Sequence, residues 1–137
     1  DLEEKFVFPT VKANGQHTML IDVLIKQHAA GRRHTQKIID QTKGGALPKG
    51  EELQKFTDGL AAYNTMYRHH EAREDTEVFP ALKLLLPPSE YRDLSGIFKE
   101  REQELFGAQG FEAMLDKIEA IEREAGIANI GQFTTNI

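Results

Sequence analysis

An all-α fold follows from three features of the sequence. Turn signals are few and widely spaced: "ANG" at 13–15, "GGALPKG" at 44–50, "LPPSE" at 86–90, "GAQG" at 107–110 and "AGIANIG" at 125–131. The long stretches between them lack the alternation of a strand. In the longest of them, apolar residues recur at steps of three and four, the spacing of one helix face. The predicted helices run over about 1–13, 17–43, 50–85, 89–106 and 110–124. Short connections between them predict a helical bundle with antiparallel neighbours. The chain reads as one domain, with 1–86 supplying the core bundle helices and 87–137 adding C-terminal helices that pack on it.

The first helix contains Pro9, and the third contains Pro80. Each proline removes a ladder hydrogen bond, so each predicts a kink and not an end. On the second helix Ile21, Leu24, Ile25, His28, Gly31, Thr35 and Ile38 share a face, with His28 near its centre. The third helix has the longest stripe: Leu53, Phe56, Leu60, Tyr63, Tyr67, His70, Glu74, Val78, Ala81 and Leu85. It is apolar at both ends and broken in the middle by His70 and Glu74. Pro87–Pro88 is a true stop. In the last two helices Ile97, Phe98, Leu105, Phe106, Phe111, Met114, Leu115, Ile118 and Ile121 are core candidates. Glu119 and Arg123 make an ordinary surface pair there, worth ~0.3–0.5 kcal/mol.

Composition narrows the function. The 137 residues carry 17 basic and 22 acidic side chains, a net charge of −5, which argues against a nucleic-acid surface. No apolar run approaches the ~20 residues of a membrane span, and the given start does not resemble the basic-then-apolar pattern of a signal peptide. A cytoplasmic location is the default expectation. The absence of cysteine removes disulfides, thiolate metal sites and cysteine nucleophiles together. Beginning at Asp1 and not Met, the sequence reads as a fragment or a trimmed chain.

The interruption of the third stripe poses the chemical question. Burying an ionised carboxylate costs several kcal/mol unless it is paired or binds a cation. A His and a Glu four residues apart stand one above the other on a helix, and one metal ion accepts a nitrogen and an oxygen from such a pair. With imidazole and carboxylate donors and no thiolate, iron or manganese fits better than copper(I), and zinc remains open. A blander reading uses the same residues. Such pairs are common on solvated helices, and Arg73 has Glu77 and Asp75 as salt-bridge partners. A lone histidine on an apolar face, such as His28, is commonly a hydrogen-bonded core residue. His17 and His34 are expected at the surface, and His69 lies one step off the stripe.

An internal repeat strengthens the metal reading. "LEEKFVFPTVK" at 2–12 aligns with "REDTEVFPALK" at 73–83 at a constant offset of 71. Glu3 falls on Glu74, Glu4 on Asp75, Val7 on Val78, Phe8 on Phe79, Pro9 on Pro80 and Lys12 on Lys83. Two related helices facing each other would each bring carboxylates to one centre.

The stretches "EEKFVFP", "LIKQHAAGRRHT", "YRHHEAREDTEVFPAL" and "ELFGAQGFEAMLDKIEAIEREAGI" resemble the hemerythrin-like, or HHE cation-binding, family, the last of them a bacterial subgroup. The resemblance covers most of the chain. It implies an up-and-down four-helix bundle around two non-haem irons. Carried over by position, it implies metal ligation by Glu3, His28, His70 and Glu74. Asp75 stands five residues after His70, a spacing some members use, so Asp75 and its repeat counterpart Glu4 are the alternate carboxylates. Two features depart from the family pattern. The first helix and the start of the second, with two expected histidines, are absent from this sequence, so either that segment exists upstream of Asp1 or another copy covers the bundle by association or swapping. Leu24 and Arg32 also flank His28 where oxygen carriers place a second histidine, which argues against a strict oxygen carrier.

The resemblance implies handling of a small oxidant: oxygen, nitric oxide or peroxide. Peroxide dismutation would make the protein an enzyme, whereas reversible binding would make it a sensor or scavenger. Iron storage or sensing without turnover uses the same ligands. A metal-free helical interaction module with an acidic surface is the competing class.

Overall fold

The computed structural model describes residues 2–107 and 110–134. All regular structure among them is helical. The chain divides into two compact units, Asp1–Pro88 and Ser89–Ile137.

The first unit holds three helices. Helix α1 joins a π-helical turn, Glu3–Val7, to the α-helix Phe8–Ala13. Helix α2 is Thr18–Thr42. Helix α3 runs through Glu51–Arg73, a second π-helical turn at Glu74–Val78, and Phe79–Leu85. The two π turns occupy equivalent positions of the repeat, for one local reason. Pro9 and Pro80 have no N–H, and each proline ring crowds the carbonyl four residues back. The ladder therefore shifts outward by one residue: Phe8 N–H donates to the Glu3 carbonyl, and Phe79 N–H to the Glu74 carbonyl. The interruption expected at the prolines takes the form of this wider turn, a feature common at functional sites. Between α1 and α2, Gly15 takes a positive φ of 73° in a tight turn.

Helix α1 packs on α2 and on the Phe79–Leu85 end of α3, while α2 packs on Glu51–Arg73. The core lies where all three meet. Val7, Phe8 and Val11 of α1, Ile21 and Leu24 of α2, and Val78, Ala81 and Leu82 of α3 are buried. Each fully enclosed side chain contributes about 1.5–3 kcal/mol. The long stripe on α3 is therefore buried over only part of its length. Tyr67 is 50% exposed and Leu53 38%, although α2 packs on Glu51–Arg73.

The second unit holds α4 from Ser89 onward (the helix is Pro88–Phe106), α5 (Phe111–Glu124) and a 3-10 turn at Ile130–Phe133. Its expected core does not form. Within this unit Leu105, Phe111, Leu115, Ile118 and Ile121 remain exposed, as do Ile97 and Phe106. Two helices and a short tail have too little chain to enclose an apolar face. The unit does keep the predicted Glu119–Arg123 pair. Glu102 Oε1 accepts from Phe111 N–H and ties the start of α5 to α4.

Candidate metal centre

The site stands on the hydrophobic core of the first unit. Leu24 is buried one helical turn before His28, and the Phe8 ring stacks on the His28 ring at 5.5 Å between centroids. Across from it, α3 brings in His70 and, at the start of the π turn, Glu74; both are buried. The two histidines meet edge to edge, with His28 Nε2 2.9 Å from His70 Nε2. Glu74 Oε1 lies 3.2 Å from His70 Nε2 and 3.7 Å from His28 Nε2. That oxygen is fully enclosed and has no hydrogen-bond partner. These three atoms, all within 4.8 Å of one another, form the arrangement a metal ion needs. Donors about 2.1 Å from a common ion stand roughly 3.0–3.6 Å apart, so the observed 2.9, 3.2 and 3.7 Å need shifts of only about 0.1 Å to hold one.

The electrostatics agree with a missing positive charge. Burial first, then the charges of Glu3, Asp75 and Glu71, pushes the Glu74 carboxyl up to about 7. Burial and the neighbouring His28 lower the His70 pKa, and Glu3 opposes them. An orphaned buried oxygen beside two imidazoles, with a carboxyl reluctant to ionise, is the state a cation relieves.

The remaining predicted site residues have different placements. Glu3 lines the same cleft as His28 and His70, and its charge reaches Glu74 and His70, but it lies outside the trio. Glu4 turns to the far side of His28: its Oε1 lies 2.9 Å from His28 Nδ1 and accepts from Arg32 Nη1 at 2.7 Å. The Arg32 hydrogen bond lowers the Glu4 pKa against the opposing effect of burial. Asp75 is exposed, one residue round the turn from inward-facing Glu74.

Two histidine expectations need correction. His34 is half-buried and not on the surface; its ring stacks on Tyr63 at 5.2 Å, and its Nε2 is enclosed without a partner. It lies one turn beyond Gly31 on α2, and Gly59 of α3, having no side chain, leaves the ring its space. His17 is half-buried at the start of α2, with Nδ1 3.3 Å from Glu77 Oε2. Glu77 also takes the predicted pair with Arg73.

Sequence reasoning passed over Gln27. Its Oε1 lies 2.9 Å from His70 Nδ1, across the helix interface. Periodicity could not find it, because a polar residue beside His28 looks like any flank position. A cleft of about 500 Å³ opens onto the imidazoles, lined among others by Gly31, Tyr63, Met66 and Tyr67. The Tyr67 ring stacks nearly parallel to His70 at 6.3 Å.

A sequence model of the hemerythrin HHE cation-binding domain matches residues 1–82. The chain belongs to the hemerythrin HHE family. The match ends inside α3 and spans the site helices of the first unit. Uncharacterized proteins of Mycobacterium tuberculosis (strain H37Rv) and Mycobacterium bovis are 38% identical over 133 residues, 97% of this chain. The chain spans about half, 52%, of their length. No solved structure matches significantly. The resemblance read from the motifs is thus shown, and with it an all-α hemerythrin-like architecture. The family and the side-chain cluster together point to metal binding, with His28, His70 and Glu74 as candidate ligands. Among the described residues no helix is long and apolar enough to cross a membrane.

Proposed function

We propose that this hemerythrin-like chain holds non-haem iron through His28, His70 and Glu74, with Glu3 as a further carboxylate at the same cleft, and that the site handles a small oxidant. The observation that carries the reading is the convergence of His28 Nε2, His70 Nε2 and the partnerless Glu74 Oε1. Two imidazoles and one carboxylate form a donor set typical of non-haem iron that keeps positions open. Bound iron supplies those open positions and one-electron chemistry to oxygen, nitric oxide or peroxide. The family's usual pair of ions would draw on donors beyond this trio.

The chain's own residues do the rest. His28 and His70 hold their nitrogens from two different helices, so the packing of α2 on α3 sets the bite of the site. Glu74 neutralises charge from beneath. Tyr67 and Met66 line the cleft, and Gly31, having no side chain, gives the Tyr63 ring its place against α2. Peroxide-dependent turnover would be an oxidant-removing activity; reversible binding would be sensing or scavenging.

Anaerobic loading with ferrous ion, followed by exposure to each oxidant, tests the reading. The expected result is stoichiometric iron that His70→Ala removes, with new near-ultraviolet absorption on oxidation. Oxygen release from peroxide above that of free iron would identify turnover, and iron uptake without any oxidant response would favour storage. Failure to take up iron would overturn the proposal and leave a helical interaction module.

A further inference from the structure

The metal reading leaves unexplained why both imidazoles turn the same nitrogen, Nε2, to one point. A neutral imidazole has one N–H donor and one lone-pair acceptor. Its distal partner therefore decides which nitrogen is free for a metal.

At His28 that partner is Glu4. The Arg32 guanidinium donates at 2.7 Å to the same Glu4 oxygen that faces His28 Nδ1, so that oxygen acts as an acceptor toward the ring. At His70 the partner is Gln27, whose carbonyl oxygen likewise only accepts. Both Nδ1 atoms must then carry the hydrogen. Both Nε2 atoms then face one point, 2.9 Å apart with the Glu74 oxygen beside them, and these three acceptors are bridged by a cation or, in its absence, by a shared proton. The partners cross over in sequence: Gln27, next to His28 on α2, serves the histidine of α3, while the partner of His28 comes from α1.

We propose that Glu4 and Gln27 are positioning residues that lock His28 and His70 as Nδ1–H tautomers and so aim both Nε2 lone pairs at one ion. The proposal deepens the metal reading and gives Glu4 a role behind a ligand and not among the ligands. Gln27 acts by geometry alone, since it cannot titrate. Arg32 holds Glu4 in place one helical turn beyond His28.

Side-chain nitrogen-15 spectra of the metal-free protein at pH 8 read the tautomers directly and need no bound iron. The wild type is expected to show an Nδ1–H imidazole at both His28 and His70. Gln27→Met, which removes the acceptor, is expected to release His70 into a mixture of tautomers and leave His28 unchanged. Glu4→Leu is expected to release His28 alone. Gln27→Glu restores an acceptor at the same place and should return His70 to one form. Anaerobic ferrous titrations should show about 10–100-fold weaker binding for Gln27→Met and Glu4→Leu, the range that partners behind metal ligands control. Gln27→Glu should recover most of that loss. An Nε2–H form of either histidine in the wild type would overturn the proposal, as would an unchanged His70 tautomer in Gln27→Met. Correct tautomers in a protein that takes up no iron would support the positioning roles and refute the metal reading, so the two failures are distinguishable.

Discussion

Replacing Glu74 by glutamine should have opposite effects on the two things the residue does. In the metal-free protein its carboxyl is held at about 7 against an ordinary value of 4.5. One pKa unit corresponds to about 1.4 kcal/mol, so ionised Glu74 costs the folded state about 3 kcal/mol. The sign follows from which state holds the proton. Below pH 4.5 the carboxyl is protonated whether the chain is folded or not, and there is no penalty. As pH rises to and through 7 the unfolded chain ionises first, and stability is lost. Glu74→Gln stays neutral and keeps that stability. Its amide N–H groups can also donate to the two Nε2 lone pairs, which adds to the gain. Urea unfolding of chelator-treated protein, followed by circular dichroism from pH 4 to pH 8, measures the difference. The variant should match the wild type at pH 4 and exceed it by up to about 3 kcal/mol at pH 8. Ferrous affinity of the same variant should fall by at least about 100-fold, beyond the range of residues behind the ligands. A gap that does not change with pH, or a variant less stable than wild type at pH 8, would refute the claim that Glu74 is an uncompensated buried acid.

Further outcomes follow from the same geometry. Because Glu74 keeps its proton up to about 7, metal must displace that proton below this pH, and affinity should weaken by about fivefold from pH 7 to pH 6; isothermal titration at the two values checks it, and a flat profile contradicts it. Leu24→Ala, at a buried position one turn below His28, should cost about 2–5 kcal/mol in denaturant unfolding and loosen the site above it. Gly96→Ala, on α4 with nothing within 4 Å of the added methyl, should stabilise by about 0.8–1 kcal/mol, seen as a higher unfolding midpoint; a fall would show an unforeseen contact.

The sequence by itself determined the helices, the repeat and the family. The bounds 17–43 and 110–124 lie within a residue of Thr18–Thr42 and Phe111–Glu124, because glycines and prolines at the turns act locally. The Phe-Pro phrases likewise fixed where both π turns fall, since a missing N–H disturbs only its own ladder. Periodicity put His28, His70 and Glu74 on inward faces. What it could not supply is everything that depends on how far one helix lies from another. Glu3 read as a ligand with Glu4 as its alternate, and only the packing of α1 on α2 turned Glu4 to His28 Nδ1 and Arg32. The same applies to Gln27, a flank residue until α3 places His70 against it, and to His34, whose burial depends on a glycine 25 positions away on another helix. The apolar stripes of α4 and α5 show the converse. A stripe records which side of a helix avoids water, but only a second surface at the right distance can bury it.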